Sequence, residues 1–179
     1  LKSKKADFEL ITLNRIVHSV QDVQIACNCE ASEVIKTLVF IGSSPIIAVM
    51  PGDKRASIKK IEELTGEQDL RMAKPEEVKK LTGYNVGSVS PFGVNPKIKQ
   101  IADDSIHSLQ SLFLGSGKSD VLIKMNQIEF IKETEKRTGQ NMTVKDLLLE
   151  LSKKMDDKEK LEIIKIQKVI IKMIIFLFY

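Results

Sequence analysis

Apolar positions come in short alternating or continuous stretches as far as residue 125, and at helical spacing beyond it. Residues 7–13 predict a first strand. Ser19-Val20-Gln21-Asp22 is a capping-box variant, its hydroxyl and carboxylate meeting orphan amides of a helix's first turn. Val23, Ala26 and Cys27 follow at helical spacing. The run VIKTLVFI at 34–41 predicts a strand. Gly42-Ser43-Ser44-Pro45 is a turn cluster, and 46–50 is the return strand. Pro51-Gly52 ends that strand, and Asp53, Lys54 and Arg55 form a polar loop. Ser57 caps a predicted helix carrying Ile58, Ile61 and Leu64, with Gly66 past its end. Pro75 opens another, with Glu76 and Glu77 at its positive end, Val78 and Leu81 facing inward, and Gly83 closing it.

The segment 84–96 reads YNVGSVSPFGVNP, and Gly87, Pro91 and Gly93 exclude regular structure there. Residues 101–106 and 109–114 look strand-like, Gly115-Ser116-Gly117 makes a turn, and 120–125 predicts a final strand. From Gln127 the pattern is helical: 127–137, a Thr143-capped helix to about residue 155, then 157 to the end. The fold class expected is α+β, with a mixed sheet and flanking helices in 1–126 and a helical extension in 127–179. No internal repeat is apparent.

Composition narrows the function. At 179 residues the chain is long enough for one core without staples. Charged residues are 29% and hydrophobic ones 42%, which excludes wholesale disorder. The balance of 28 basic against 24 acidic residues permits a polyanionic partner without demanding one. Cys27 and Cys29 are too few for a disulfide framework and too closely spaced for the usual zinc ligand pattern, so they read as small packed residues. Trp is absent, and Tyr84 and Tyr179 are the only tyrosines, which argues against recognition by rows of stacked aromatics. The N-terminus shows no signal peptide and lacks an initiator Met, as in a fragment or trimmed chain. Residues 169–179 are almost wholly apolar. Extending that stretch to spanning length collects Glu162, Lys165, Lys168 and Lys172, so no spanning segment is expected. A stripe of polar residues on a broad apolar helix predicts instead packing on its own domain, on a second copy as a homodimer, on a partner or on a membrane surface.

Candidate chemistry begins at Lys36. In a strand it shares a face with Val34, Leu38 and Phe40, while Ile35, Thr37, Val39 and Ile41 form the other. Both faces are apolar, so the strand is expected to be covered on both sides. The lysine there either snorkels to water or serves a pocket. Gly87-Ser88-Val89-Ser90-Pro91 is a G-x-x-x-P loop, either a tight connection or a shaped site whose amides hold a carbonyl oxygen. Gly115-Ser116-Gly117-Lys118 lacks P-loop spacing, which excludes nucleotide binding on that ground. His18 and His107 have no obvious nucleophile or metal set beside them and read as structural or exposed. Lys54, Arg55, Lys59 and Lys60 form a basic patch, either a solvated face or a surface for phosphates.

The segments KTLVF, PGDKR, LTGYNVGSVSPFG, ADDSI and LFLGSGKSD occur in this order at residues 36, 51, 81, 102 and 112 onward. Together they resemble the YbaK/ProX family of aminoacyl-tRNA editing domains, which includes free-standing trans-editing deacylases and the editing insertion of bacterial prolyl-tRNA synthetases. The resemblance covers residues 19–125. It implies a compact barrel-like sheet, a cytoplasmic protein, and hydrolysis of the ester joining a wrong, small amino acid to a tRNA such as tRNA-Pro. Lys36 matches the family's functional lysine, and Gly87 and Pro91 match the ends of its loop, with Ser88, Val89 and Ser90 between them. Asp103 and Gly115, Ser116 and Gly117 match regions lining the same cleft. The leading helix usual before the first strand is absent here, and the tail is longer than the family domain needs. An aminoacyl ester is already activated, so water can attack without a protein nucleophile, metal or cofactor. The resemblance implies that a ribose hydroxyl of the substrate helps activate that water. It also implies tRNA as partner, with an aminoacyl-tRNA synthetase as a second. The rival expectation is a catalytically silent tRNA-binding or synthetase-associated module.

Overall fold

The computed structural model describes residues 6–138, with side chains described as far as residue 135. The Thr143-capped helix, the helix from Asp157 and the self-association expected of the tail lie outside the described residues.

The elements follow the turn and cap chemistry closely. Strand β1 (Glu9–Thr12) leads to helix α1 (Val20–Cys27). Ser19 caps α1, its hydroxyl accepting from the Asp22 amide at 3.1 Å while the Asp22 carboxylate accepts from the Ser19 amide at 3.0 Å. A 3-10 turn at Ala31–Glu33 precedes β2 (Val34–Ile41), which pairs antiparallel with β3 (Pro45–Pro51). Helix α2 (Ile58–Thr65) starts at the Ser57 cap and stops at Gly66, whose φ of 75° suits glycine. Helix α3 (Pro75–Thr82) ends in the same way at Gly83. Then come β5 (Lys99–Ala102), β6 (Leu112–Gly115), β7 (Val121–Met125) and α4 (Gln127–Thr138).

Two features depart from expectation. Residues 103–106, expected to continue the strand begun at 101, are not strand. Asp103 instead caps a 3-10 turn, Asp104–Ser108, its carboxylate accepting from the Ser105 amide at 3.0 Å and from the Ser105 hydroxyl. A carboxylate this close in sequence offers the backbone a local alternative to the ladder, and β5 stops before it. The second feature is β4 (Arg71–Met72), a strand of 2 residues with no periodicity to betray it.

The sheet is mixed, in the order β1-β7-β6-β2-β3-β5, with β4 paired to β2 off that path. Its path has two ends, at β1 and β5, and does not close into a barrel. Strand β2 is covered on both faces. Ile35 and Val39 join the largest cluster, with Ile47, Val49, Val78 and Phe130. On the opposite face Val34 packs with Val17, Val23, Phe113 and Leu122, and Phe40 packs with Ile46, Ile61 and Leu70. Lys36 lies between those two smaller clusters. Burying side chains such as Ile46 and Ile47, both 0% exposed, contributes about 1.5–3 kcal/mol each.

The pairing of β2 contains a gap that matters for function. Against β6 only Val34 and Ile35 pair, in parallel with Phe113 and Leu114. Pairing on that edge resumes at Phe40 and Ile41, against Met72 and Arg71 of β4, with Val39 accepting from the Ala73 amide at 2.9 Å. Between the two partners the β2 edge has no strand beside it among the described residues. The cause lies in β6. A Cβ on Gly115 would stand 2.6 Å from the Val89 carbonyl oxygen and 2.9 Å from that of Ser88. Loop backbone therefore packs against β6 at its last residue, and the chain turns back from Gly115 into β7 instead of continuing along β2.

Candidate active site

A cavity of about 300 Å³ opens through this gap. Its walls come from both faces of the sheet. Val17, Val20, Val23, Val34, Phe113 and Leu122 supply one side, and Ile35, Val39, Val78 and Val89 the other. His18, Ser19, Lys36, Thr37, Gly87 and Gly115 also line it. The walls suit an uncharged, mainly apolar group of modest size, with a few polar atoms to orient it.

Lys36 is half-buried, and its ammonium is held from one side. Nζ donates to the Gly52 carbonyl at 3.1 Å and to the Lys54 carbonyl. Two of its three N–H groups are thus spent on the turn after β3, which leaves one. Burial pushes its pKa below the ordinary lysine value, Asp53 opposes that shift, and Arg55 adds to it. The turn is itself fixed: a Cβ on Gly52 would stand 2.6 Å from both the Ala31 carbonyl oxygen and a Val20 methyl. Lys36 is therefore no loose snorkelling side chain. It is a positioned cation at the cavity wall.

The G-x-x-x-P loop reaches the cavity through Gly87 and Val89. Gly87 has φ 86°, and a Cβ there would lie 3.0 Å from the His18 carbonyl oxygen. Ser88, Ser90 and Pro91 are buried. The Ser88 amide and hydroxyl both donate to the Asn85 carbonyl, at 3.1 and 3.0 Å. The Ser88 carbonyl accepts from the Gly117 amide at 2.9 Å. That leaves the amides of Gly87 and Val89 without a hydrogen-bond acceptor among the described residues, on residues that line the cavity.

The remaining expected residues divide. Gly115 lines the cavity and permits the loop's approach. Ser116 turns away, its hydroxyl donating to the Val121 carbonyl at 2.6 Å, and Gly117 sits behind the loop. Asp103 serves its 3-10 turn and is not among the lining residues. Lys54, Arg55, Lys59 and Lys60 are exposed, and no ion pair holds them among the described residues. The Lys54 carbonyl is one that Lys36 grips, so this basic patch adjoins the cavity lysine through a single turn.

Sequence reading missed two residues here. His18, read as structural or exposed, is exposed and lines the cavity beside Gly87. Thr37 has a buried hydroxyl oxygen with no hydrogen-bond partner among the described residues. Such an orphan costs about 1–3 kcal/mol and favours a ligand that supplies a partner. Nothing in the alternation of β2 distinguishes Thr37. Cys27 and Cys29 are half-buried; burial is the main cause that raises the Cys29 thiol to about 11, as suits packing rather than redox chemistry. Among the described residues no cluster of His, Cys, Asp and Glu could hold a metal, and no helix is long and apolar enough to cross a membrane.

Known proteins match this chain over the same region. The family described as the aminoacyl-tRNA editing domain matches residues 15–133. The proline–tRNA ligase of Caldicellulosiruptor saccharolyticus is 28% identical over 132 residues, which are 73% of this chain and 23% of that one. The proline–tRNA ligase of Thermotoga neapolitana is 31% identical over 58% of this chain and 18% of its own. This chain thus spans about a quarter or less of the length of these curated relatives. Among solved structures, the hypothetical protein APE2540 superposes with a TM-score of 0.70 at 29% identity, covering 74% of this chain and 89% of its own. A candidate trans-editing enzyme for prolyl tRNA synthetase gives 0.65 at 26% identity, over 71% and 81% respectively.

Proposed function

We propose that this chain, which belongs to the family of aminoacyl-tRNA editing domains, hydrolyses the ester between a mischarged small amino acid and its tRNA. The observation that supports the reading is the cavity in the β2 gap, whose mainly apolar lining includes Lys36, its ammonium held by two carbonyls, and the loop residues Gly87 and Val89. The amino-acid side chain enters the apolar part. Its ester carbonyl lies against the amides of Gly87 and Val89, which hold the oxygen as negative charge develops on it. The remaining N–H of Lys36 faces the 3′-terminal nucleotide or the developing charge. Water attacks the carbonyl carbon, the bond to the ribose oxygen breaks, and the free amino acid and the tRNA 3′-hydroxyl are the products. A neighbouring ribose hydroxyl of the substrate assists the water, so no protein base is required. Pro91 fixes the loop's exit, and Ser88 and Ser90 anchor it from within.

The basic patch of Lys54, Arg55, Lys59 and Lys60 receives tRNA phosphates near the cavity mouth. The proline–tRNA ligases among the relatives support tRNA-Pro as the mischarged tRNA, with a synthetase as partner and the cytosol as the setting. The test is a panel of mischarged tRNAs under single-turnover conditions. Release of one small amino acid well above the spontaneous rate supports the reading. Tight binding of every tRNA with intact esters would leave a silent tRNA-binding module instead.

A further inference from the structure

Tyr84 has no place in the chemistry above, yet two glycines are shaped around it. Its amide donates to the Thr82 hydroxyl at 3.1 Å, just past the end of α3, and its ring is half-buried against the largest cluster. A Cβ on Gly93 would stand 1.7 Å from its hydroxyl oxygen and 2.7 Å from Cζ. A Cβ on Gly117 would stand 2.5 Å from its Cε1. The ring therefore fills the space between the end of the 87–93 loop and the 115–117 turn. That turn holds the loop in its own right, because the Gly117 amide donates to the Ser88 carbonyl at 2.9 Å and Gly115 lets that carbonyl and its neighbour approach.

We propose that Tyr84 is a positioning residue: its ring, wedged between Gly93 and Gly117, fixes the loop in the shape that presents the Gly87 and Val89 amides to the cavity. The inference rests on the hydrolytic reading of that cavity. Glycine is the least restrained backbone, and two glycines facing an empty space would let the loop sample other shapes. Amides aimed in advance act on the transition state, so losing their aim slows the chemical step more than it weakens tRNA binding. Gly93 does not have positive φ, so an alanine there is opposed by the ring rather than by its own backbone.

The test uses the full chain, tRNA-Pro charged with alanine, and two readouts. These are the single-turnover rate at saturating tRNA with Kd alongside, and the amide shifts of Gly87 and Val89 in nitrogen-15 spectra. Tyr84→Ala should slow turnover about tenfold or more while Kd stays within about threefold, and should move both amide shifts. Tyr84→Phe keeps the wedge and should stay within about threefold of the parent. Gly93→Ala should slow turnover alone yet add little in the Tyr84→Ala background, the coupling expected of groups in contact. Parent-like turnover in Tyr84→Ala, multiplicative losses in the double variant, or unmoved amide shifts would each overturn the proposal. If Tyr84→Ala melts below the assay temperature, Gly93→Ala decides: it must slow turnover and move both shifts with Kd kept. If the parent chain itself hydrolyses nothing, the deacylase reading fails. The shifts then decide separately: movement in Tyr84→Ala but not in Tyr84→Phe supports the wedge, and any other pattern overturns it.

Discussion

Lys36 makes its contribution through the company it keeps. Its ammonium is tied to the carbonyls of Gly52 and Lys54, and burial lowers its pKa. Lys36→Ala removes a half-buried charge rather than stranding one. The carbonyls it leaves are on a half-buried glycine and an exposed lysine, within reach of water. The fold should survive, as circular dichroism and a thermal melt would show, while single-turnover hydrolysis should fall about 100-fold, the scale for losing one transition-state contact. Lys36→Arg should also fail, because a planar fork cannot replace a compact ammonium held by two carbonyls. Near-normal turnover in Lys36→Ala would make Lys36 a mere brace of the turn. Gly87→Ala tests the loop independently. Its φ of 86° and the His18 carbonyl 3.0 Å from the new Cβ both oppose the change. It should lower stability by about 1 kcal/mol or more and slow turnover with Lys36 in place.

At the scale of elements, the cavity depends on how β4 and α3 stay docked beside the β2 gap. Arg71 of β4 forms a bidentate pair with Glu77 of α3 at 2.8 and 2.7 Å, and Glu77 also accepts from the Lys74 amide at 2.8 Å. These bonds, chiefly the one to Arg71, hold the Glu77 carboxyl down to about 2, against an ordinary value of 4.5. A depressed carboxylate contributes stability above its unfolded pKa and loses it as pH falls through the folded one. The melting temperature should therefore decline between pH 4.5 and 2, and Glu77→Gln should flatten that decline in a melt series. Most elements were legible because their ends are written locally. Ser19, Ser57, Gly66, Pro75 and Gly83 mark their boundaries by cap chemistry that needs no tertiary contact. The VIKTLVFI strand announced its covered faces by composition. What could not be read was long-range. Strand β4 exists because β2 offers it an edge. Residues 103–106 left the sheet because Asp103 found Ser105. The orphan hydroxyl of Thr37 shows only in the packed fold. Lys36 stood out in sequence by strand alternation and Gly87 and Val89 by the G-x-x-x-P pattern, the resemblance suggested their roles, and their place around one cavity required the fold.

Among the described residues an exposed basic patch, Lys54, Arg55, Lys59 and Lys60, adjoins the turn that holds Lys36 at the apolar cavity, the arrangement that the proposed tRNA reading requires. Binding to tRNA should weaken with salt through counterion release. Replacing both Lys54 and Arg55 by Ala should reduce the slope of log K against log salt by roughly 1.5. An unchanged slope would move the tRNA surface elsewhere. The family match ends at residue 133, so a chain ending at residue 138 should keep its hydrolytic rate within about threefold of the parent. Loss of all activity in that chain, soluble and folded, would show that hydrolysis needs the residues beyond 138. The most direct test of the central claim is one time course of ester hydrolysis. Excess protein is mixed with tRNA-Pro charged with alanine, and separately with the cognate proline-charged tRNA, beside Lys36→Ala and a protein-free control. The account predicts rapid first-order release of the small amino acid by the parent chain, slow release from the cognate tRNA, and release near the control rate by Lys36→Ala. Equal decay with and without the parent chain, across a panel of small amino acids, would contradict it.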